Sequence, residues 1–308
     1  MLRALAALVL IAVAPAWASA TGSDGRLTVV TTTTDLKSIV EVVGGDRVVV
    51  ESLAPPLHDP HTVEVKPGQL ARLKHADLLV RIGLDHEPWL ARALRAVGNP
   101  KLRYGSAGDL DVAPSVALLE TETPRVRSER GVHVHGFGNT HYWLDPDNGK
   151  AIAAAIAIAL AKIAPADAAV FEENRTRFVA RLDDGLVRWT RAMAPYRGTR
   201  VVVAHETWPY FARRFGLVIV TAIEPTPGVP ASPAWIERLT RGMRESGVKI
   251  LISEPYADAA VVRQVAARSG ATIVTLAPSV GADAAITDYV SLFDVNVKRL
   301  TTALATAR

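Results

Sequence analysis

The sequence feature that most constrains the fold is an uninterrupted helical pattern between Pro165 and Pro195. Large apolar residues recur there at intervals of seven, four, seven and four, which is the period of one face of an α-helix. They are Phe171, Phe178, Leu182, Trp189 and Met193. No proline lies between the two that flank the stretch, so nothing interrupts the helical hydrogen bonds. At about 1.5 Å per residue such a helix is roughly 45 Å long, more than most single domains need.

Strand and helix patterns alternate on both sides of this helix, which predicts an α/β fold with mostly parallel sheets. The predicted strands are 27–33, 48–53, 78–82, 201–204, 218–222, 250–253 and 272–276. The predicted helices, apart from the long one, are 35–43, 67–75, 147–163, 207–215, 233–246, 258–269 and 287–305. We therefore predict two βα lobes, an N-terminal one over 21–164 and a C-terminal one over 196–308, joined by one long rigid helix over 165–195.

The first twenty residues have the pattern of a secretory signal peptide. Arg3 is the only charged residue among them, an apolar run extends from Leu5 to Val13, and residues 18–20 form an A-x-A cleavage site. The run is too short for a membrane anchor, which needs about 20 apolar residues, and Pro15 interrupts it. We expect export to the periplasm and a mature chain that begins near Thr21.

Composition excludes several classes of site. The chain has no cysteine, so it forms no disulfide, and any metal must be held by His, Asp or Glu side chains. The net charge of +4 is spread along the chain without a run of Lys or Arg, which gives nucleic-acid binding little support. We expect a monomer that binds a small ligand.

Three of the eight histidines stand where a metal site would form. His61 follows a loop stiffened by prolines, His205 follows a buried strand, and His141 precedes two aromatic residues and an Asp-Pro turn. Ligands of open α/β sheets bind beyond the carboxyl ends of the strands, where His61, His205 and Glu254 all fall. Three imidazoles and one carboxylate form a tetrahedral site that suits zinc.

Short motifs that contain these histidines follow one another along nearly the whole mature chain. They are Asp59-Pro60-His61-Thr62 with Glu64 and Pro67, Ala76-Asp77-Leu78, Gly83-Leu84 with Trp89, His141-Tyr142-Trp143-Leu144-Asp145-Pro146, and His205-Glu206-Thr207-Trp208-Pro209-Tyr210-Phe211 before Phe215-Gly216-Leu217. In this order they resemble the solute-binding proteins of bacterial ABC transporters for zinc and manganese, the cluster A-I proteins that include the zinc-uptake, Tro-type and pneumococcal-adhesin members. The resemblance implies two lobes on one long helix, periplasmic capture of a divalent metal ion, and delivery to an inner-membrane permease.

The resemblance also implies the positions of the ligands. His61, His141 and His205 match the three imidazole positions of the family, and manganese-binding members commonly carry a carboxylate at the third, so His205 favours zinc over manganese or iron. The usual fourth ligand is an Asp just after the last strand, where Pro278 stands here. Glu254 is the predicted substitute, although it could equally pair with an arginine or cap the following helix. Asp283 or a water molecule are the alternatives.

The other histidines are assigned weaker roles. His133 and His135 lie in a polar segment where zinc-uptake relatives often carry a metal-collecting His-rich loop, but we favour an ordinary exposed loop because two histidines are few for that role. His58 is predicted near the cleft, and His75 and His86 at the surface.

A periplasmic zinc hydrolase is the competing function. The zincin motif requires His-Glu-x-x-His, and the residue after His205-Glu206-Thr207-Trp208 is Pro209 instead of histidine. A Gly-x-Ser-x-Gly nucleophile elbow is also missing from the sequence. An adhesion or haem-binding module has no positive feature in the chain. We therefore predict a metal-binding protein and not an enzyme.

Overall fold

Two four-stranded parallel sheets form the framework of the protein. The computed structural model describes residues 25–120, 138–226 and 229–307. The first sheet contains β1 (Leu27–Thr31), β2 (Val48–Ser52), β3 (Leu78–Arg81) and β4 (Asp109–Asp111), in the spatial order β2-β1-β3-β4. The second contains β5 (Arg200–Val203), β6 (Val218–Ala222), β7 (Ile250–Ser253) and β8 (Thr272–Thr275), in the order β6-β5-β7-β8. The two sheets thus repeat one strand order.

Nine helices of the described residues pack around these sheets. They are α1 (Thr34–Gly44), α2 (Pro67–His75), α3 (Leu90–Val97), α4 (Pro146–Ile163), α5 (Ala168–Met193), α6 (Pro209–Phe215), α7 (Pro233–Glu245), α8 (Ala259–Ser269) and α9 (Tyr289–Thr306). The predicted fold class, two βα lobes with parallel sheets and one long helix, is confirmed. The sequence patterns did not predict β4 or α3. None of the helices in the described ranges is long and apolar enough to cross a membrane.

The long helix α5 occupies the predicted stretch. Short 3-10 turns, Pro165–Asp167 and Ala194–Tyr196, extend it at both ends. All five residues of its predicted apolar stripe are buried. Gly185 makes room for the Trp189 ring of the next turn, because a Cβ atom there would lie 2.4 Å from that ring. The stripe packs against α1 and α4 from the first half of the chain and α9 from the end of the chain, so one helix face joins both halves.

Side chains between the two halves lock the segment that precedes α4. Asp145 is buried, caps α4 by accepting from the Asp147 N–H, and forms two hydrogen bonds with Arg214 of α6, at 2.7 and 3.0 Å. Trp143 donates its indole N–H to the Pro278 carbonyl at 2.9 Å. These contacts with both halves of the chain therefore fix the segment that directly follows His141.

Three of the predictions lie outside the described residues. The signal peptide over 1–20 is one of them, and His133 and His135 are the others. The lobe boundaries at 164 and 196 stay predictions.

Candidate metal centre

His61 is positioned by a short turn between β2 and α2. The 3-10 turn Pro60–Thr62 begins at Asp59, whose side chain accepts a hydrogen bond from the His61 N–H at 2.9 Å. Trp89 donates to the Pro60 carbonyl at 2.8 Å and holds the turn from outside. As a result the imidazole of His61 is buried, with 6% of the residue exposed. The prolines that stiffen this loop in the sequence lower the entropy cost of holding the ring in place.

His141 is held by its neighbour Asn139. The Asn139 side-chain oxygen lies 2.9 Å from the His141 backbone nitrogen and 3.1 Å from its Nδ1. The amide nitrogen of Asn139 donates to the Glu206 carbonyl at 2.9 Å, which fixes the amide orientation. His141 is 3% exposed.

His205 lies two residues beyond β5, as the strand-end argument predicts. Its Nδ1 lies 2.8 Å from a carboxylate oxygen of Glu224, which follows β6. Burial lowers the pKa of His205, but the hydrogen bond with Glu224 and the charges of Glu254, Glu224 and Asp59 outweigh that effect, so the net pKa is raised above the ordinary histidine value. Its side chain is 17% exposed.

His86 was predicted at the surface, and that prediction is wrong because the residue is completely buried. The loop after β3 turns back through three residues with positive φ, namely Gly83 at 78°, Leu84 at 56° and Asp85 at 59°. Glu87 anchors this turn, since its carboxylate accepts from the backbone N–H groups of Ile82 and Gly83. The position of His86 just past a strand's carboxyl end was the available sequence signal.

The His86 ring joins the other imidazoles. Its Nδ1 lies 2.8 Å from the Thr140 hydroxyl oxygen, and its carbonyl accepts from His61 Nδ1 at 2.8 Å. Among the described residues, one group of three or more potential ligands has its ligand atoms within 4.8 Å of one another, and it consists of His61, His86 and His141. The sequence analysis placed two of these three in the site.

Two of the distances between ring centres are close to those of a zinc site. Imidazoles that bind zinc at about 2.1 Å with tetrahedral angles have ring centres roughly 5.2 Å apart. His141 lies 5.4 Å from His61 and 5.5 Å from His86 by this measure. His61 and His86 are closer together, at 4.3 Å. His205 is farther out, at 5.8 Å from His141 and 6.3 Å from His61.

The hydrogen bonds of the outer ring nitrogens, Nδ1 of each histidine, indicate which nitrogen could face a metal ion. His61 Nδ1 contacts a carbonyl, His141 Nδ1 an amide oxygen and His205 Nδ1 a carboxylate. All three partners can only accept, so each Nδ1 carries the hydrogen when the ring is neutral. The lone pair is then on Nε2, which is the arrangement of metal-binding histidines whose other nitrogen donates to an outer partner.

The predicted fourth ligands take different positions. Glu254 is buried directly after β7, and its Oε1 accepts the Trp208 indole N–H at 2.6 Å. Burial raises the pKa of Glu254, while the nearby His205 lowers it. Asp283 instead pairs with Arg299 of α9 at 2.5 Å. His58 and His75 are exposed, as was predicted for His75.

Two parallel-sheet lobes on a long helix, with a cluster of buried imidazoles whose ligand atoms lie close together, define a metal-binding protein of the solute-binding class. The family profile described as "ZnuA: Zinc-uptake complex component A periplasmic" matches residues 29–303, so the chain belongs to this family. The resemblance inferred from the sequence is thereby confirmed.

Individual relatives agree with this assignment. The chain is 29% identical to the high-affinity zinc uptake system protein ZnuA of Paracoccus denitrificans, over 77% of this chain and 79% of that one. It is 30% identical to a putative metal-binding protein of Thermotoga maritima, a match that spans 63% of each chain and therefore less than two thirds of that relative. A crystal structure of ZnuA superposes with a TM-score of 0.75 and 28% identity, covering 90% of this chain and 99% of that one.

Proposed function

We propose that this protein captures a zinc ion in the periplasm and delivers it to the permease of an ABC transporter. The observation that carries the proposal is the buried cluster of imidazoles, each of which has its outer nitrogen in a hydrogen bond that leaves Nε2 directed away from that partner. Membership of the zinc-uptake family supports the same function. Extracytoplasmic localisation follows from the family, and the signal peptide predicted over 1–20 supports periplasmic export.

In this proposal His61, His141 and His205 bind the ion through Nε2. Imidazole nitrogen suits zinc, copper and nickel, whereas carboxylate and water oxygens suit manganese and magnesium. The imidazole-rich centre therefore favours zinc over the manganese alternative. Glu254, predicted from the sequence as the fourth ligand, is close enough to His205 for their charges to interact. Its Oε1 accepts from the Trp208 indole N–H, so Oε2 would be its ligand atom.

We propose capture without catalysis. A zinc hydrolase needs a general base beside an exchangeable water, and the residue best placed by sequence is Glu206, next to His205. Its backbone carbonyl accepts from Asn139, so this turn holds His141 in position. Family membership favours transport over turnover as well.

The zinc content of the protein tests the proposal. Periplasmic protein is purified by osmotic shock, and its metals are counted by mass spectrometry for the wild type, for His205→Ala and for the matched control His75→Ala, which removes an exposed histidine of α2. We expect one zinc ion per chain in the wild type and the control, and a strongly reduced content in His205→Ala. A wild type without bound zinc, or a zinc content indifferent to His205, would contradict the proposed site.

A further inference from the structure

We infer that His86 is a fourth imidazole ligand, so that the captured ion is bound by four histidines. This inference rests on the proposed function and specifies the donor set of the same site. In this inference the fourth ligand is an imidazole nitrogen of His86, in the first half of the chain, and not the predicted carboxylate of Glu254. Neither the sequence motifs nor the family positions assign His86 a role.

Geometry favours His86 over every other fourth group considered. Its ring centre lies 4.3 Å from that of His61 and 5.5 Å from that of His141, and its Nε2 is buried. The ligand atoms of these three residues are already within 4.8 Å of one another, whereas two bound nitrogens would be about 3.4 Å apart around a tetrahedral zinc ion. Shifts of about an ångström, within the range of side-chain adjustment, therefore complete the site.

The surroundings of His86 resemble those of a metal ligand. Thr140 lies at hydrogen-bond distance from its Nδ1, which orients the ring as an outer partner does in metal sites. The Trp143 ring packs edge-on at 5.2 Å and blocks the opposite side. The carbonyl of His86 also accepts from His61, so one backbone turn orients two ligands at once.

Glu254 is the weaker candidate for the same position. Its Oε1 accepts the Trp208 indole N–H at 2.6 Å, so Oε2 is the only oxygen that could bind the ion without breaking a buried hydrogen bond. The compact group of ligand atoms in the described part of the chain contains His86 and not Glu254. Glu254 is instead placed to stabilise positive charge around His205, as its effect on the pKa of that residue shows.

Four imidazoles have a functional consequence. A zinc ion with four protein ligands has no open position for water, which is typical of structural sites and unlike catalytic ones. An all-nitrogen donor set also discriminates against manganese, which prefers oxygen ligands. The site would hold zinc tightly and selectively until the permease opens it.

Cadmium-113 NMR on the intact protein tests the inference directly. Protein labelled with ¹⁵N-histidine is loaded with ¹¹³Cd²⁺, and every imidazole nitrogen bound to the ion is split by its one-bond coupling to cadmium. Single glutamine substitutions of His61, His86, His141 and His205 assign the split signals. We expect His86 Nε2 to be split, and the exposed His75 not to be.

Zinc competition titrations complete the test. His86→Gln should lower zinc affinity by more than about a hundredfold, since even loss of an outer-shell partner typically costs 10–100-fold. His75→Gln should leave the affinity unchanged. If His86 is not split while His61, His141 and His205 are, His86 is not a ligand, whatever its substitution does to affinity, and the proposed function stands. If the wild type binds neither zinc nor cadmium, the proposed function fails and this inference with it. Because the coupling is measured on the wild type, the inference can be overturned even if His86→Gln does not fold.

Discussion

The two halves of the chain contribute to the metal centre in different ways. His61, His86 and His141, which precede the long helix, are at most 6% exposed and are oriented by neutral partners: a carbonyl, a hydroxyl and an amide. His205, which follows the long helix, is 17% exposed in its side chain, lies farther from its neighbours and is oriented by a carboxylate. In the proposed site His61, His86 and His141 of the first half would therefore form a preformed face, and His205 of the second half would be the closing group that completes it.

This difference indicates how the ion is captured. The 6.3 Å between the ring centres of His61 and His205 exceeds the value of about 5.2 Å expected around zinc by roughly 1 Å. A small movement of the β5–α6 loop that carries His205 would close this gap without any rotation of the lobes. Since α5 and the contacts around Asp145 join the halves firmly, a loop-scale movement fits the structure better than a wide opening.

The largest effect should come from removing a member of the preformed face. Structural zinc sites bind with about 10–16 kcal/mol, so one ligand in four would account for roughly 3–4 kcal/mol, or several hundredfold in affinity. We expect His61→Ala to lose about that much and His205→Ala to lose less, about a hundredfold, because His205 is already displaced from the ideal distance. Chelator competition with zinc measures both. Equal losses, or a larger loss for His205→Ala, would refute the division into a preformed face and a closing group.

The next largest effect concerns the ion pair between Asp145 and Arg214, which joins the two halves of the chain. Asp145 is 1% exposed and pairs with Arg214 through two hydrogen bonds. Arg214→Met would leave a buried carboxylate without its main cation, and breaking such pairs typically costs 3–5 kcal/mol. Because Arg214 is partly exposed, we expect a loss near the low end, about 3 kcal/mol, in urea unfolding of the metal-free protein. Arg213→Met is the matched control, since Arg213 is half exposed and 3.7 Å from Asp145, and should cost less than about 0.5 kcal/mol. Similar losses for the two variants would contradict the bridging role of Arg214.

The sequence predicted the position of His205 better than that of His86. His205 follows a strand that the apolar run 201–204 predicts from the sequence alone. In the same way, the helical spacing of apolar residues between 165 and 195 predicts the long helix α5. His86 was missed because its burial depends on a backbone reversal in which Leu84 and Asp85, neither of them glycine, have positive φ. Glu87 stabilises that conformation through the N–H groups of Ile82 and Gly83, and its carboxylate is itself held by the distant Thr32 hydroxyl, a contact that no local pattern reveals.

The sheet edge shows the same limit of sequence patterns. β4 is the tripeptide Asp109-Leu110-Asp111, a polar sequence with no strand signal. It pairs with β3 because Arg81 binds both of its carboxylates, each at 2.9 Å. Long-range ion pairs of this kind leave no local periodicity, whereas buried strands such as β1 do.

A third test addresses a buried acid between the halves, away from the histidines. Asp35 of α1 accepts from the Val280 N–H at 3.0 Å, and burial raises its pKa from 3.8 to about 7 even though that hydrogen bond lowers it. Between these two values the folded protein keeps a proton that the unfolded chain has released, so stability decreases as pH rises. We expect the wild type to lose about 2 kcal/mol between pH 5 and pH 7 from this group.

The variant Asp35→Asn isolates that effect, because asparagine keeps the acceptor oxygen for Val280 but cannot ionise. Urea unfolding of the metal-free wild type and variant at pH 5 and pH 7 gives the difference in stability at each pH. That difference should move in favour of the variant by about 2 kcal/mol between the two values. A difference that is constant with pH would show that Asp35 does not carry a raised pKa in the folded protein.

The smallest effect should come from the carboxylate behind the closing group. Glu224→Gln removes the charge that orients His205 and raises its pKa, while an amide oxygen can still accept from Nδ1. We expect a zinc affinity about tenfold lower at pH 8, at the low end of outer-shell effects because Glu224 is itself partly exposed. At pH 6 the raised pKa of His205 makes protons compete more strongly with zinc in the wild type than in the variant. The difference in zinc affinity between the two proteins should therefore be smaller at pH 6 than at pH 8. Zinc titrations of both proteins at the two pH values measure this, with Glu237→Gln on α7 as the control. If the difference in zinc affinity between wild type and variant stays constant or widens at pH 6, Glu224 orients His205 without controlling its protonation. The charge of Glu224, which the neutral partners in the first half lack, would then have no consequence for binding.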